Sequence, residues 1–258
     1  DFISAKDETL IGSLVFLNNW IIRTELTNAL DKVFIRNIIT NEEEELIFTD
    51  EKVYDPSVSL RQKDRDTDEI YISYSTPKTQ NRTYLYNIKT KEKKLVKEQI
   101  IPSGHEPNDY IVERLECPSH DGRVVPITIT RHKNTPIDGS AELLLYGYGS
   151  YGHSMSPTFS STRLSLIKRN IIWATAHIRG GMERGMKWWK EGKLLNKKNT
   201  FKDYIACAKF LIEKKYTSKK KIIGMGGSAG GLLMGVVVNE EPDLFLGVIM
   251  AVPFVDSL

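Results

Sequence analysis

Cysteine is nearly absent, and one whole class of protein goes with it. Cys117 and Cys207 are the only two. They are too few to staple a disulfide scaffold and suit a reducing cytosol, so a cytoplasmic location is expected. Long apolar runs are missing as well: none approaches the ~18 residues needed to span a bilayer, and no membrane partner is expected. The opening Asp1-Phe-Ile-Ser-Ala-Lys6 lacks the charged-then-apolar layout of a signal peptide. It does not start with Met either, so a leader has been removed or the chain begins inside a larger protein; the second is the expectation. Net charge is small, +3 over 258 residues. Lysines gather at 91–97 and 214–221 with Tyr216 as the only aromatic among them, which reads as solvated surface rather than a nucleic-acid footprint. No His/Cys cluster has metal-ligand spacing, so neither metal nor cofactor is expected.

What is present centres on residues 221–235, KIIGMGGSAGGLLMG. An apolar β-branched run leads into Gly226-Gly227-Ser228-Ala229-Gly230, and a helix-capable run follows. This is the G-x-S-x-G nucleophile elbow in its strand–turn–helix setting. A serine at a strained turn projects its hydroxyl clear of the backbone. Gly226 and Gly230, crowding each other, have no Cβ to clash. The backbone N–H of Ala229 falls at the helix N-terminus, where a developing oxyanion is stabilised. The bland alternative is a glycine-rich turn that binds phosphate or packs tightly, but the Lys of a P-loop is missing.

Residues 1–103 read as β structure: short runs at 10–17, 20–25, 33–39 and 45–48, then 58–62, 69–74, 82–87 and 94–99, parted by Asn, Asp and Glu. Two sets of about four strands, each over ~45–50 residues, suggest successive propeller blades. Pro, Gly and Asn at 101–109 mark a boundary. Beyond it the expectation for 104–258 is α/β. It comprises a hairpin at 111–116 and 124–131, then buried strands at 142–146, 171–178 and 246–252. A helix over 163–169 is closed by Asn170 in a left-handed cap. A longer helix has Thr200 as N-cap, Asp203 three residues on, and Phe201, Tyr204, Ile205, Ala208, Leu211 and Ile212 on one face. Alternating strands and helices imply a parallel-type sheet with flanking helices.

Five strings in one order carry a resemblance: LYGYGSYG (145–152), HIRGG (177–181), GKLLNKKNTF (192–201), GGSAGGLLMG (226–235) and VPFVD (252–256). Together they resemble the prolyl oligopeptidase family of serine peptidases, oligopeptidase B branch. The resemblance implies a partial α/β-hydrolase domain preceded by remnant blades of the propeller that screens out large folded substrates. It assigns Ser228 as nucleophile, with the Ala229 N–H and the Tyr148 phenol as oxyanion donors. Tyr148 could instead be a loop tyrosine packing its ring. For Arg179, capping or a sheet-end role weighs at least as much as a substrate contact.

A serine at its ordinary pKa needs a base, and the base needs a third group to orient it. In α/β-hydrolases the chain order is Ser, Asp or Glu, then His. All five histidines, His105, His120, His132, His153 and His177, precede Ser228. His177 reads as a satisfied core histidine, and His153 lies near Tyr148 but in the wrong order. Asp243 and Asp256 look like turn or cap residues. The resemblance places the acid and histidine beyond Leu258, so the chain reads as truncated at both ends. The expectation is a serine endopeptidase segment, acting on short peptides after Lys or Arg and nearly inactive alone. Rivals are a non-catalytic remnant or one part complemented by a C-terminal fragment, and, more weakly, an esterase.

Overall fold

The computed structural model describes residues 3–63 and 65–255. The first four strands, β1 (Thr9–Phe16), β2 (Trp20–Thr27), β3 (Leu30–Asn37) and β4 (Glu43–Glu45), form an antiparallel sheet in that order. β2 and β3 are joined by Asn28 and Ala29, both at positive φ (51° and 59°), the pairing a two-residue hairpin demands. β5 (Asp55–Leu60), β6 (Glu69–Ser75), β7 (Arg82–Asn87) and β8 (Lys93–Glu98) form a second antiparallel sheet in order. The two sheets share a core: Ile22, Val33 and Ile35 from one, Ile70, Ile72 and Tyr86 from the other, with Leu46 and Phe48 among them. Two strands are displaced from their expected places: β5 lies at 55–60, not 58–62, and β4 at 43–45, not 45–48, with Leu46 and Phe48 beyond it buried in this core while Ile47 faces out.

A repeat in letters becomes visible here. Residues 37–42 (NIITNE) and 87–92 (NIKTKE) make the same turn. Asn37 Oδ1 accepts from the N–H groups of Ile39 (2.9 Å) and Thr40 (3.2 Å). Asn87 Oδ1 accepts from those of Lys89 and Thr90, both at 3.0 Å. Each turn closes on a residue at positive φ, Asn41 or Lys91.

The third sheet holds β9 (Tyr110–Pro118), β10 (Val124–His132), β11 (Leu143–Tyr146), β12 (Ile172–Ala176), β13 (Ile222–Gly227) and β14 (Phe245–Ala251). Its order is β14-β13-β11-β12-β10-β9. The four strands from β14 to β12 are parallel; β10 and β9 join antiparallel, so the sheet is mixed rather than parallel throughout. Strand alternation assigns its faces. Ile172, Ala174, Leu143, Leu145, Val125 and Ile127 point toward α3 (Lys198–Glu213) and α4 (Ala229–Glu240), whose Tyr204, Ala208, Leu211, Leu233 and Val237 complete the main core. Trp173 points the other way, toward α1 (Ser161–Ile167), capped by Ser160 and ended by Asn170 at φ 64°. No helix among the described residues is long and apolar enough to cross a membrane.

Two local expectations are corrected. Thr200 is not an N-cap. α3 begins two residues earlier, and Thr200 is buried, its hydroxyl donating to the carbonyls of Arg179 (2.8 Å) and Gly192 (3.1 Å). Asp203 likewise faces inward rather than the helix start. A short helix, α2 (Gly185–Lys190), was not expected; with no side-chain cap it is held by Trp188, whose indole N–H donates to the His177 carbonyl at 3.1 Å.

Candidate active site

Ser228 joins β13 to α4 with φ 53° and ψ −119°, a backbone state that non-glycine residues rarely adopt and that costs on the order of 1–3 kcal/mol. Neighbouring backbone holds it there. Its N–H donates to the Ala251 carbonyl (2.8 Å), and its carbonyl accepts from Gly231 (2.8 Å) and Phe254 (3.1 Å). The side chain is exposed. Ala229, the first residue of α4, has an N–H with no intrahelical acceptor. A Cβ on Gly226 would overlap the Gly230 carbonyl, and one on Gly230 would lie 3.0 Å from the Gly147 oxygen and 3.3 Å from the Tyr148 ring. The corner therefore closes only with glycine at 226 and leaves little room for a Cβ at 230. Gly226→Ala is expected to cost roughly 2–3 kcal/mol, because backbone must shift; urea unfolding midpoints measure it.

That same contact places Tyr148 against the first turn of α4. Its ring is half-buried and edge-on to His153, centroids 5.5 Å apart. With Tyr146, Tyr151, Gly152 and Met155 the two line a cavity of about 510 Å³. The loop carrying Tyr148 is pinned from α3. Lys197 Nζ donates to the Gly149 carbonyl (2.5 Å) and meets the Ser150 hydroxyl (2.8 Å). Burial pushes that ammonium down to about 8.

No described side chain hydrogen-bonds the Ser228 hydroxyl. His153 packs on Tyr148, and the other histidines serve elsewhere. His177 is fully buried with Nε2 2.8 Å from the Thr128 hydroxyl, while its Nδ1 has no partner, so it is only half satisfied. Burial, with Arg114 nearby, pushes it well below the usual histidine range. His105 Nε2 lies 2.6 Å from the Lys78 carbonyl, His120 beside Ser119, and His132 Nδ1 accepts from Asn134. Asp243 pairs with Lys220 at 3.4 Å in a surface turn. Asp256 lies outside the described residues.

Arg179 makes its contacts inside the protein. Its guanidinium donates to Asp203 through Nε (2.8 Å) and Nη2 (2.6 Å) and to Asp121 through Nη1 (2.5 Å). Its own N–H donates to Asp203 at 3.1 Å. These bonds lock the turn whose Gly180 carbonyl accepts from Gly152 (2.8 Å), at the far end of the Tyr148 loop.

Sequence reasoning passed over Glu183, four residues beyond Arg179. Its carboxyl is sealed in the protein, taking the Met155 N–H at 3.1 Å on Oε1 and nothing on Oε2. Burial pushes it up to about 7 from an ordinary 4.5, partly offset by Arg114. The folded value lies above the unfolded one, so its contribution is full below about 4.5 and is lost as pH rises toward 7. Glu183→Gln is expected to flatten that decline by roughly 2 kcal/mol, read from denaturation midpoints at pH 5 and 8. Asp31, also pushed to about 7 by burial and the nearby Asp55, adds a slope of the same sign; the difference between parent and variant isolates Glu183.

Residues 157–258 match the sequence profile of the prolyl oligopeptidase family. Dipeptidyl aminopeptidase BI of Pseudoxanthomonas mexicana is 38% identical over 257 residues, 99% of this chain and 35% of that one. Protease 2 of Moraxella lacunata is 38% identical over 229 residues, 89% of this chain and 33% of that one. The chain thus spans about a third of the length of the curated relatives it matches. Oligopeptidase B from Trypanosoma brucei, solved in a closed form with covalently bound antipain, superposes with a TM-score of 0.90 at 34% identity, over 98% of this chain and 37% of that one. The fold is accordingly α/β, part of an α/β-hydrolase domain preceded by propeller blades.

Proposed function

Over residues 157–258 the chain belongs to the prolyl oligopeptidase family of serine peptidases, and from that premise we propose that Ser228 is the nucleophile of an oligopeptidase B-like endopeptidase. Its substrates would be short peptides cut after Lys or Arg. The observation that carries the reading is the positive-φ corner at Ser228, with an exposed hydroxyl beside a free helix-start amide. Oγ attacks the scissile carbonyl, and its proton passes to a base. The oxyanion is held by the Ala229 N–H and the Tyr148 phenol. Collapse expels the amine, which takes up that proton, and water then hydrolyses the acyl-enzyme. The described residues offer the nucleophile and the donors, and no described imidazole meets Ser228. Treatment with a fluorophosphonate probe tests the assignment: the adduct should map to Ser228, form slowly, and be absent from Ser228→Ala. An adduct elsewhere, or none after long exposure, would refute it.

A second reading, that the chain works as one part of a complemented peptidase, is favoured by β14. Among the described residues it pairs with β13 alone, at the sheet edge, and exposes Leu246, Ile249 and Met250. Adding in trans a polypeptide bearing the family's acid and histidine should then accelerate the labelling of Ser228.

A further inference from the structure

Arg163 is a charged side chain whose placement the site so far leaves unexplained. It sits in α1 with its guanidinium 4.6 Å above the Trp173 ring, and Trp173 in turn stacks on Tyr146 at 6.2 Å. Nη1 donates to the Thr158 carbonyl at 3.2 Å, while Nε is sealed from solvent with no partner. No carboxylate among the described residues pairs with it. Holding a partly buried cation without a counter-charge is costly, and burial has pushed Arg163 down to about 10. The guanidinium opens onto a cavity of about 460 Å³, walled also by Tyr146, Met155, Ser156, Thr158 and Trp173, with no acidic residue in the wall. Tyr146, His153 and Met155 are shared with the Tyr148 cavity, so the two spaces adjoin.

We propose that Arg163 is a binding residue for a carboxylate of the peptide substrate, held in this cavity beside Tyr148. The planar fork suits two carboxylate oxygens, Thr158 lies in the same wall, and the Trp173 and Tyr146 rings pack the aliphatic part of the ligand. The carboxylate comes from an acidic side chain or from the peptide's own C-terminus. The proposal rests on the peptidase reading, because it takes the ligand to be a peptide.

Calorimetric titration of the full chain with three acetylated tetrapeptides tests it: acetyl-Ala-Glu-Ala-Ala-amide, its Gln analogue, and the Gln analogue with a free C-terminus. Either or both carboxylate peptides should bind roughly 10- to 100-fold tighter than the neutral one, and whichever gains identifies the source. In Arg163→Met the gain should vanish, and Arg163→Lys should restore part of it. Equal affinities for all three peptides in the parent, a comparison that needs no variant, overturn the proposal alone. So does a gain that survives Arg163→Met. Absence of binding by any peptide overturns it together with the peptidase reading.

Discussion

A polypeptide of these 258 residues, assayed on an arginyl amide, is expected to turn over on the order of 10⁴–10⁶ more slowly than a peptidase whose serine has its base. The expectation follows from the geometry of one oxygen. The Ser228 hydroxyl makes no hydrogen bond to a described side chain, and the nearest imidazole to its oxyanion loop, His153, is turned edge-on to Tyr148. A neutral hydroxyl attacks an amide carbonyl poorly, because the proton has nowhere to go as the bond forms. Preorganised donors still contribute: the Ala229 N–H and the Tyr148 phenol would account for residual turnover above the uncatalysed rate. Ser228→Ala should therefore remove labelling yet lower the already small turnover only modestly. Turnover matching a complete serine peptidase would mean that His153 swings from Tyr148 onto the serine, and His153→Gln would then abolish it.

Asp203→Ala is expected to be the most destabilising single change in the chain, at roughly 3–5 kcal/mol. Arg179 is 1% exposed and Asp203 fully buried. Removing the carboxylate strands a guanidinium that only Asp121 would still partly neutralise, and it leaves the Arg179 N–H and the Ser119 hydroxyl without their acceptor. At this chain length the loss corresponds to a drop of about 10 °C or more in Tm. Replacing both partners, Arg179→Met with Asp203→Leu, should recover much of the loss, since no charge is left orphaned. A single-variant cost under 1 kcal/mol would show the pair to be solvated in solution.

Local features were readable in advance, and long-range ones were not. The strands of the first two sheets declare themselves through alternation and through Asn-rich turns, and the elbow declares itself through glycines that only a tight corner requires. Thr200 was misassigned because a threonine ahead of an amphipathic run looks like a cap, whereas its partners are carbonyls of residues 179 and 192. Arg179 and Asp203 stand 24 residues apart, and only the packing of α3 beside the turn after β12 joins them. Nothing in the letters around Glu183 and Arg163 sets them apart. What sets them apart, a sealed carboxyl oxygen and an unmatched guanidinium, exists only once the chain is folded.

The elbow is anchored to the strand least supported by the sheet. Ser228 donates to Ala251 at the end of β14, accepts from Phe254 just beyond it, and Pro253 presses against Gly231 in the first turn of α4. β14 itself has a ladder on one side only. Fraying of this outermost strand would loosen the serine's backbone anchors in the same motion. A strand laid along its open side would stiffen the nucleophile mechanically without touching it, so amide exchange at Ser228 and at residues 245–251 should slow together.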